Sequence, residues 1–359
     1  GDSPLCIKDT YWIGTIRHCF TLFRFCVASS KSSANNVFLC TNKESKTMEK
    51  HKISRRNALR MMGAMCAGTV LSSCTGTKVK AEEPTEKYKR LIFFFSATGN
   101  SLYIAKELSG AEGTLMSIPQ EIHNEHPVYE AEEIGIVCPI YCFIPPTIVQ
   151  EFFARSTFKA NYLFCVGTYG ANSTIFPEYV AQMAKDKGLE MNYINTIKMV
   201  DTYLPYYDME KEKAADKQIP ENLAVIKASI NSRENFIRPV SEQEKMLCEG
   251  YYRHSGRDRV KPTFTRSEKV VYSTDECIGC GICNSVCPHG SWKIVNGKSV
   301  AEGDCENCLS CVHNCPKKAI SIIRVDPEPE EQNRNSRYRN PNVRVGEIIL
   351  ANSQVNYNG

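Results

Sequence analysis

The stretch Cys277-Ile-Gly-Cys280-Gly-Ile-Cys283-Asn-Ser-Val-Cys287-Pro288 is answered by Cys305-Glu-Asn-Cys308-Leu-Ser-Cys311-Val-His-Asn-Cys315-Pro316. Both runs read C-x2-C-x2-C-x3-C-P, and each position of the second lies 28 residues after its counterpart in the first. The register extends past the cysteines: Glu276 matches Asp304, Trp292 matches Ile320, and Ile294 matches Ile322. Three thiolates spaced two residues apart can wrap one loop around three corners of a cubane iron–sulfur cluster, with the fourth thiolate supplied from elsewhere. Zinc takes four ligands per ion and has no use for this tandem regularity. The triplets are also too close together to pair well as disulfides. Asn296-Gly297, flanked by Trp292–Val295 and Lys298–Val300, predicts a two-residue hairpin with a type I′ turn. His289 and His313 lie inside the motifs, but eight thiolates satisfy two clusters, so both are read as surface or neighbouring residues and not as ligands.

Residues 268–325 resemble the bacterial two-cluster ferredoxins. The resemblance implies two [4Fe-4S] clusters in which the fourth cysteine of each run serves the other cluster. Cluster one would then take Cys277, Cys280, Cys283 and Cys315, and cluster two Cys305, Cys308, Cys311 and Cys287.

The chain has 359 residues, enough for about two domains. Its net charge of +4 is local, since residues 1–73 hold 11 Lys and Arg against 4 Asp and Glu. The remainder is slightly acidic, which gives no argument for nucleic-acid binding. Of the 18 cysteines, the ten outside the two runs show no regular spacing and do not resemble a secreted disulfide scaffold. Residues 1–47 hold no sustained period and are read as an upstream extension of the reading frame or a disordered leader. Residues 48–74 contain Arg55-Arg56, a short apolar stretch and Leu71-Ser72-Ser73-Cys74, and look like a twin-arginine lipoprotein signal. The usual Phe of that pattern is Ala58 here. The expectation is export and anchoring on the periplasmic side through a lipidated Cys74, with a cytoplasmic protein as the alternative. Residues 75–87 read as a polar tether.

A folded domain is expected over 88–240. The apolar run Leu91–Phe95 suits a strand buried on both faces. Ser96-Ala97-Thr98-Gly99-Asn100-Ser101 follows, and then Leu102, Ala105 and Leu108 at helical spacing. Strand, hydroxyl-rich loop and helix is the arrangement that presents backbone amides to a phosphate, and a helix-capping loop without a ligand is the alternative. Strands are expected at 115–118, 134–138, 162–166 and 191–200, with helices at 147–153 and 176–187 between them. This alternation predicts a doubly wound parallel α/β sheet of about five strands. Its ligand would lie at the strand carboxyl ends, beside loops 96–101, 139–146 and 168–172.

The loop resembles the FMN phosphate loop of flavodoxins, S/T-x-T-G-x-T/S. That resemblance implies FMN held by Ser96, Thr98, Gly99, Asn100 and Ser101, with Pro139, Tyr141, Thr168, Tyr169 and Gly170 beside its ring and Tyr141 and Tyr169 stacked on it. Residues 241–267 read as a linker and 326–359 as a loosely ordered polar tail, with a short docking helix over 345–351.

Taken together, residues 88–325 resemble the flavodoxin–ferredoxin fusion proteins of anaerobic bacteria. The resemblance implies an electron-transfer protein in which the clusters and FMN exchange electrons with a redox protein partner. The alternative is an FMN-dependent reductase of a small molecule. No catalytic constellation stands out in the sequence.

Overall fold

The computed structural model describes residues 88–323 and 336–355. The expectations for the twin-arginine stretch, Cys74 and the tether lie outside the described residues.

The first half is built on strands β1 (Tyr88–Phe94), β2 (Gly113–Ser117), β3 (Val128–Pro139), β4 (Thr157–Lys159), β5 (Tyr162–Tyr169), β6 (Tyr193–Lys198) and β7 (Phe236–Ile237). All pair in parallel, in the order β2-β1-β3-β5-β6-β7, with β4 on the outer part of β3. Without the two short additions β4 and β7, this is the flavodoxin-like 2-1-3-4-5 order, whose switch point lies between the first and third strands. The expectation of about five strands thus describes the central sheet. β4 and β7 are too short to show a period of their own in the sequence.

Side chains of successive residues point to opposite faces of a strand. Leu91, Phe93 and Phe95 therefore enter one core layer, and Ile92 and Phe94 the other. Helices α1 (Asn100–Ser109), α2 (Ile118–Glu121), α3 (Thr147–Arg155), α4 (Phe176–Lys185), α5 (Met209–Ala214), α6 (Ile219–Asn231) and α7 (Glu242–Ser255) complete this half. The first layer is covered by α3 and α4, the second by α1 and α6.

The segment expected as a linker contains α7, opened by a Ser241–Glu244 capping box. Its Tyr252 hydroxyl donates to the Cys142 carbonyl, and Tyr251 and Cys142 lie 3.1 Å apart. The helix clamps the loop after β3, which is why its polar, weakly periodic sequence still forms an ordered element.

The second half holds β8 (Thr265–Arg266), β9 (Val271–Ser273), α8 (Ile282–Ser285), β10 (Trp292–Val295), β11 (Lys298–Ala301), β12 (Asp304–Cys305), α9 (Ser310–Asn314) and β13 (Ile320–Ile322). Strand β8 pairs with β12, β9 with β13, and β10 with β11, all antiparallel. Asn296 and Gly297 both have positive φ, as a type I′ turn requires.

The 28-residue repeat persists in the backbone. Positive φ recurs at Gly279 and Asn307, at Gly281 and Leu309, and at Gly290 and Lys318. Leu309 takes the left-handed position that glycine holds in the first run, and its side chain is buried in the local core.

Residues 336–355 form no loose tail. They end in α10 (Val345–Asn352), and Val343, Ile348 and Ala351 join the second core layer. Tyr338 packs in the core of the cysteine-rich half. Among the described residues no helix is long and apolar enough to cross a membrane.

Candidate redox site

Cys277, Cys283 and Cys315 lie near one another, and Cys283 also neighbours Cys311 of the second run. Cys287, Cys305, Cys308 and Cys311 line one cavity, together with Leu309 and Trp292. Burial pushes the Cys311 thiol well above its ordinary range, and the charges of Cys287, Cys308 and Cys305 act on it in the same direction. Around Cys283, burial raises the thiol to about 11, with Cys277 and Cys315 as charged neighbours. Among the described residues no three His, Cys, Asp or Glu groups converge on a point suited to one ion. The thiols of the second set instead surround a cavity, as a cubane with one sulfur ligand per corner requires.

Backbone amides point at the sulfurs in repeated positions. Ser291 N donates to Cys287 Sγ at 3.5 Å, and Ala319 N, 28 residues on, donates to Cys315 Sγ at 3.2 Å. Ser299 N donates to Cys277 Sγ and Asn307 N to Cys305 Sγ. Such bonds stabilise thiolate charge and are one of the means by which a protein sets cluster potential.

The carboxyl edge of the sheet meets this half directly. Glu306, inside the second cysteine run, is 1% exposed. Its carboxylate accepts from Thr147 N at 3.0 Å and Ile148 N at 2.8 Å, the first amides of α3. These are amides that a helix leaves unpaired, at its positive end. His289 Nε2 lies 3.2 Å from the same carboxylate.

Ser310 Oγ donates to the Ala97 carbonyl, and Asn314 Nδ2 donates there too. His313 is buried, and burial pushes its pKa down to about 4. Tyr338 N donates to its Nδ1 and its Nε2–H donates to the Thr202 carbonyl, which assigns a neutral tautomer. His313 is thus a bridge between the halves and not a surface residue. No spacing or motif marks this role, nor that of Glu306.

The loop 96–101 is buried throughout. Four of its carbonyls are occupied: Ser96 by Asn352, Ala97 by Ser310, Thr98 by Asn340 N and Gly99 by Tyr103 N. Gly99 N donates to Ser96 Oγ. Among the described residues, the amides of Thr98, Asn100 and Ser101 meet no acceptor. Buried amides without partners are rare, and a cluster of them at a helix N-terminus matches the demand of a phosphate.

Ser101 Oγ and Thr168 Oγ1 lie 2.8 Å apart, joining the first and third candidate loops. Ile140 N donates to Thr168 O and joins the second. Pro139 ends β3. Tyr141 and Cys308 pack against one apolar cluster, and burial raises the Tyr141 hydroxyl, with the charge of Cys308 adding to the effect. Tyr169 is half-buried at the end of β5, and Gly170 abuts Asp201. A Cβ at Gly170 would stand 2.1 Å from Asp201 Oδ2. Loop 201–207, absent from the expected site, therefore forms part of the wall. Its Asp201 is raised to about 6 by burial.

Residues 270–293 match the family of the 4Fe-4S binding domain. An uncharacterized ferredoxin of Methanocaldococcus jannaschii is 39% identical over 74 residues, 19% of this chain and 96% of that protein. A ferredoxin of Thermococcus litoralis is 40% identical over 57 residues, 15% of this chain and 97% of that protein. Among solved structures, two-electron reduced Megasphaera elsdenii flavodoxin matches 30% of this chain and 84% of its own, at 17% identity and a TM-score of 0.22. A Lactobacillus acidophilus flavoprotein in complex with FMN matches 30% and 93%, at 13% identity and a TM-score of 0.23.

Proposed function

The chain belongs to the ferredoxin family through its cysteine-rich half, and we propose that it is an electron-transfer protein in which two [4Fe-4S] clusters exchange electrons with an FMN at the edge of the flavodoxin-like sheet. The observation that carries this reading is the seating of Cys308 and Tyr141 on one apolar cluster. That shared seating supports a second cysteine set close to the loop expected beside a flavin ring.

Cluster one would be held by Cys277, Cys280, Cys283 and Cys315, and cluster two by Cys305, Cys308, Cys311 and Cys287. The free amides of loop 96–101 fit the FMN phosphate, with Thr98 and Ser101 hydroxyls as further donors. Tyr141, Tyr169 and Gly170 would border the ring. A bound flavin exchanges electrons singly or in pairs, whereas a cubane exchanges one, so the pairing would convert between the two kinds of carrier. The chain's own part is positional. Glu306, Ser310 and His313 hold the inner cysteine loop against the sheet, and burial excludes water between them.

The test is anaerobic purification followed by counts of iron, acid-labile sulfide and FMN per chain. Eight iron, eight sulfide and one FMN are expected. Iron without FMN would remove the flavin from the proposal, and zinc in place of iron would remove the clusters. From the sequence of residues 48–74 we also infer export and lipid anchoring at Cys74. Absence of metabolic palmitate label at Cys74 would exclude the anchor.

A further inference from the structure

The 28-residue repeat sets one peptide group behind the fourth cysteine of each run. In the first run this peptide joins Gly290 to Ser291, whose N–H donates to Cys287 Sγ at 3.5 Å. In the second it joins Lys318 to Ala319, whose N–H donates to Cys315 Sγ at 3.2 Å. The group that holds the carbonyl end differs. With its amide oriented by its hydrogen-bond partners, Asn284 Nδ2 on α8 donates to the Gly290 carbonyl at 2.9 Å and to the Trp292 carbonyl at 3.1 Å. The counterpart of Asn284 is Val312 on α9, which is buried and has no side-chain donor. There the equivalent carbonyls, Lys318 and Ile320, accept from Arg337 Nη2 at 3.3 and 3.2 Å. The neutral amide of one run is thus replaced in the other by a guanidinium, brought in by the C-terminal segment.

A cation on the carbonyl of a peptide polarises that peptide, and the N–H at its other end donates more strongly. Arg337 therefore acts on Cys315 through this bond as well as through space, where its charge couples first to Cys315 and then to Cys311. The buried charge beside the other cysteine set has the opposite sign. Glu306, held by the α3 amides and His289, couples to Cys305 and Cys308. Other charges near Cys277 and Cys315 are paired, as Lys298 is with Asp275, or stand in water, as Glu276, Lys317 and Lys318 do, and weigh less. Reduction adds an electron to a cluster. A neighbouring cation and stronger N–H···S bonds favour the reduced form, and a neighbouring carboxylate disfavours it.

We propose that Arg337 is a potential-setting residue, which raises the reduction potential of the cluster holding Cys315 above that of the cluster holding Cys287. It makes two sites of one motif unequal, from a position outside either cysteine run. This rests on the reading of two clusters given above.

The test begins with iron and acid-labile sulfide counts on the full chain, purified anaerobically. A sample without clusters would overturn that reading and this proposal with it, whereas a loaded sample tests Arg337 alone. Redox titration followed by electron paramagnetic resonance gives the one-electron midpoints, and hyperfine-shifted cysteine proton signals assign each to its cluster. In the unaltered protein the higher midpoint is expected at the cluster holding Cys315. In Arg337→Gln that cluster should be about tenfold less reduced at a fixed solution potential, a fall of about 59 mV for a one-electron couple. The cluster holding Cys287 should move by less than half as much. Arg337→Lys keeps the charge without the planar fork and should recover most of the loss.

Coincident midpoints in the unaltered protein would overturn the proposal, as would a higher midpoint at the cluster holding Cys287, and neither outcome depends on a variant that folds. So would an unchanged midpoint in Arg337→Gln. An equal fall in Arg337→Gln and Arg337→Lys would also overturn it, since Arg337 would then hold the two carbonyls without its charge reaching the cluster.

Discussion

At the residue scale, Glu306 ties the two halves together from within a cysteine motif. Its carboxylate is buried, and both oxygens are engaged by α3 amides. Replacing it with alanine leaves two buried donors without an acceptor, so Glu306→Ala should destabilise the cluster-loaded protein by about 2–4 kcal/mol, read as a lower denaturant midpoint. Glu306→Gln keeps an acceptor and should lose less, and equal loss in both variants would contradict this account. Asp201 makes a prediction of the opposite kind. Burial raises it to about 6, while Tyr203 N donates to it. Its folded pKa lies above its ordinary value, so the folded state binds more protons between about 4 and 6. Stability from this group is full below that window and declines as pH rises through it. Asp201→Asn should therefore gain stability at pH 8 relative to wild type, by up to about 3 kcal/mol, and little or none at pH 4. A gain independent of pH would show that the carboxylate charge is not its source.

At the element scale, the sequence was most legible where one chemistry fixed the spacing. The cysteine runs, the Asn296-Gly297 turn and the strand–loop–helix at 91–109 stand where the sequence places them. The docking helix expected over 345–351 stands as α10, whereas the order of the rest of 336–355 was illegible for a physical reason. Asn340 and Asn352 are buried, but they are polar because their side-chain amides donate to Asn100 Oδ1 and to the Ser96 carbonyl. Hydrophobic periodicity cannot register residues buried by hydrogen bonding. Helix α7 escaped for a related reason, since its contacts with Cys142 are made by tyrosine hydroxyls. The C-terminal segment also sets a limit on the phosphate loop. Gly99 has φ +95°, and a Cβ there would stand 2.9 Å from Val343 Cβ. Gly99→Ala should strain the loop and displace the segment, losing roughly 1–3 kcal/mol of stability with or without FMN. Thermal unfolding of the flavin-free protein checks this, and an unchanged midpoint would mean that the segment does not press on the loop.

At the scale of the whole molecule, the sequence reads as two domains joined by a linker, whereas the structure joins them through side chains that no motif requires. Ser310, His313 and Asn314 on α9 and Glu306 beside it all bond to the sheet half, and Tyr338 and Asn352 bridge both from the C-terminal side. The cysteine-rich half has a small core of its own, to which Leu204 and Met209 are lent by the sheet half. So small a unit would draw much of its stability from the clusters proposed for it, because ligation supplies folding free energy that the core does not. If the halves were independent, removing iron would unfold one and leave the other at its own midpoint. The shared bonds predict otherwise. Loss of α9 would expose the Ala97 carbonyl, free the α3 amides and uncover the apolar cluster beside Tyr141. Anaerobic chelation of iron should therefore lower the unfolding temperature of the sheet half, followed by its tyrosine signal, by several degrees, the shift that about 1–2 kcal/mol produces in a chain of this size. A sheet transition that holds its midpoint while the iron absorbance disappears would show two independent domains, and with it that the seating of Cys308 on the apolar cluster of the sheet half is not fixed by the fold.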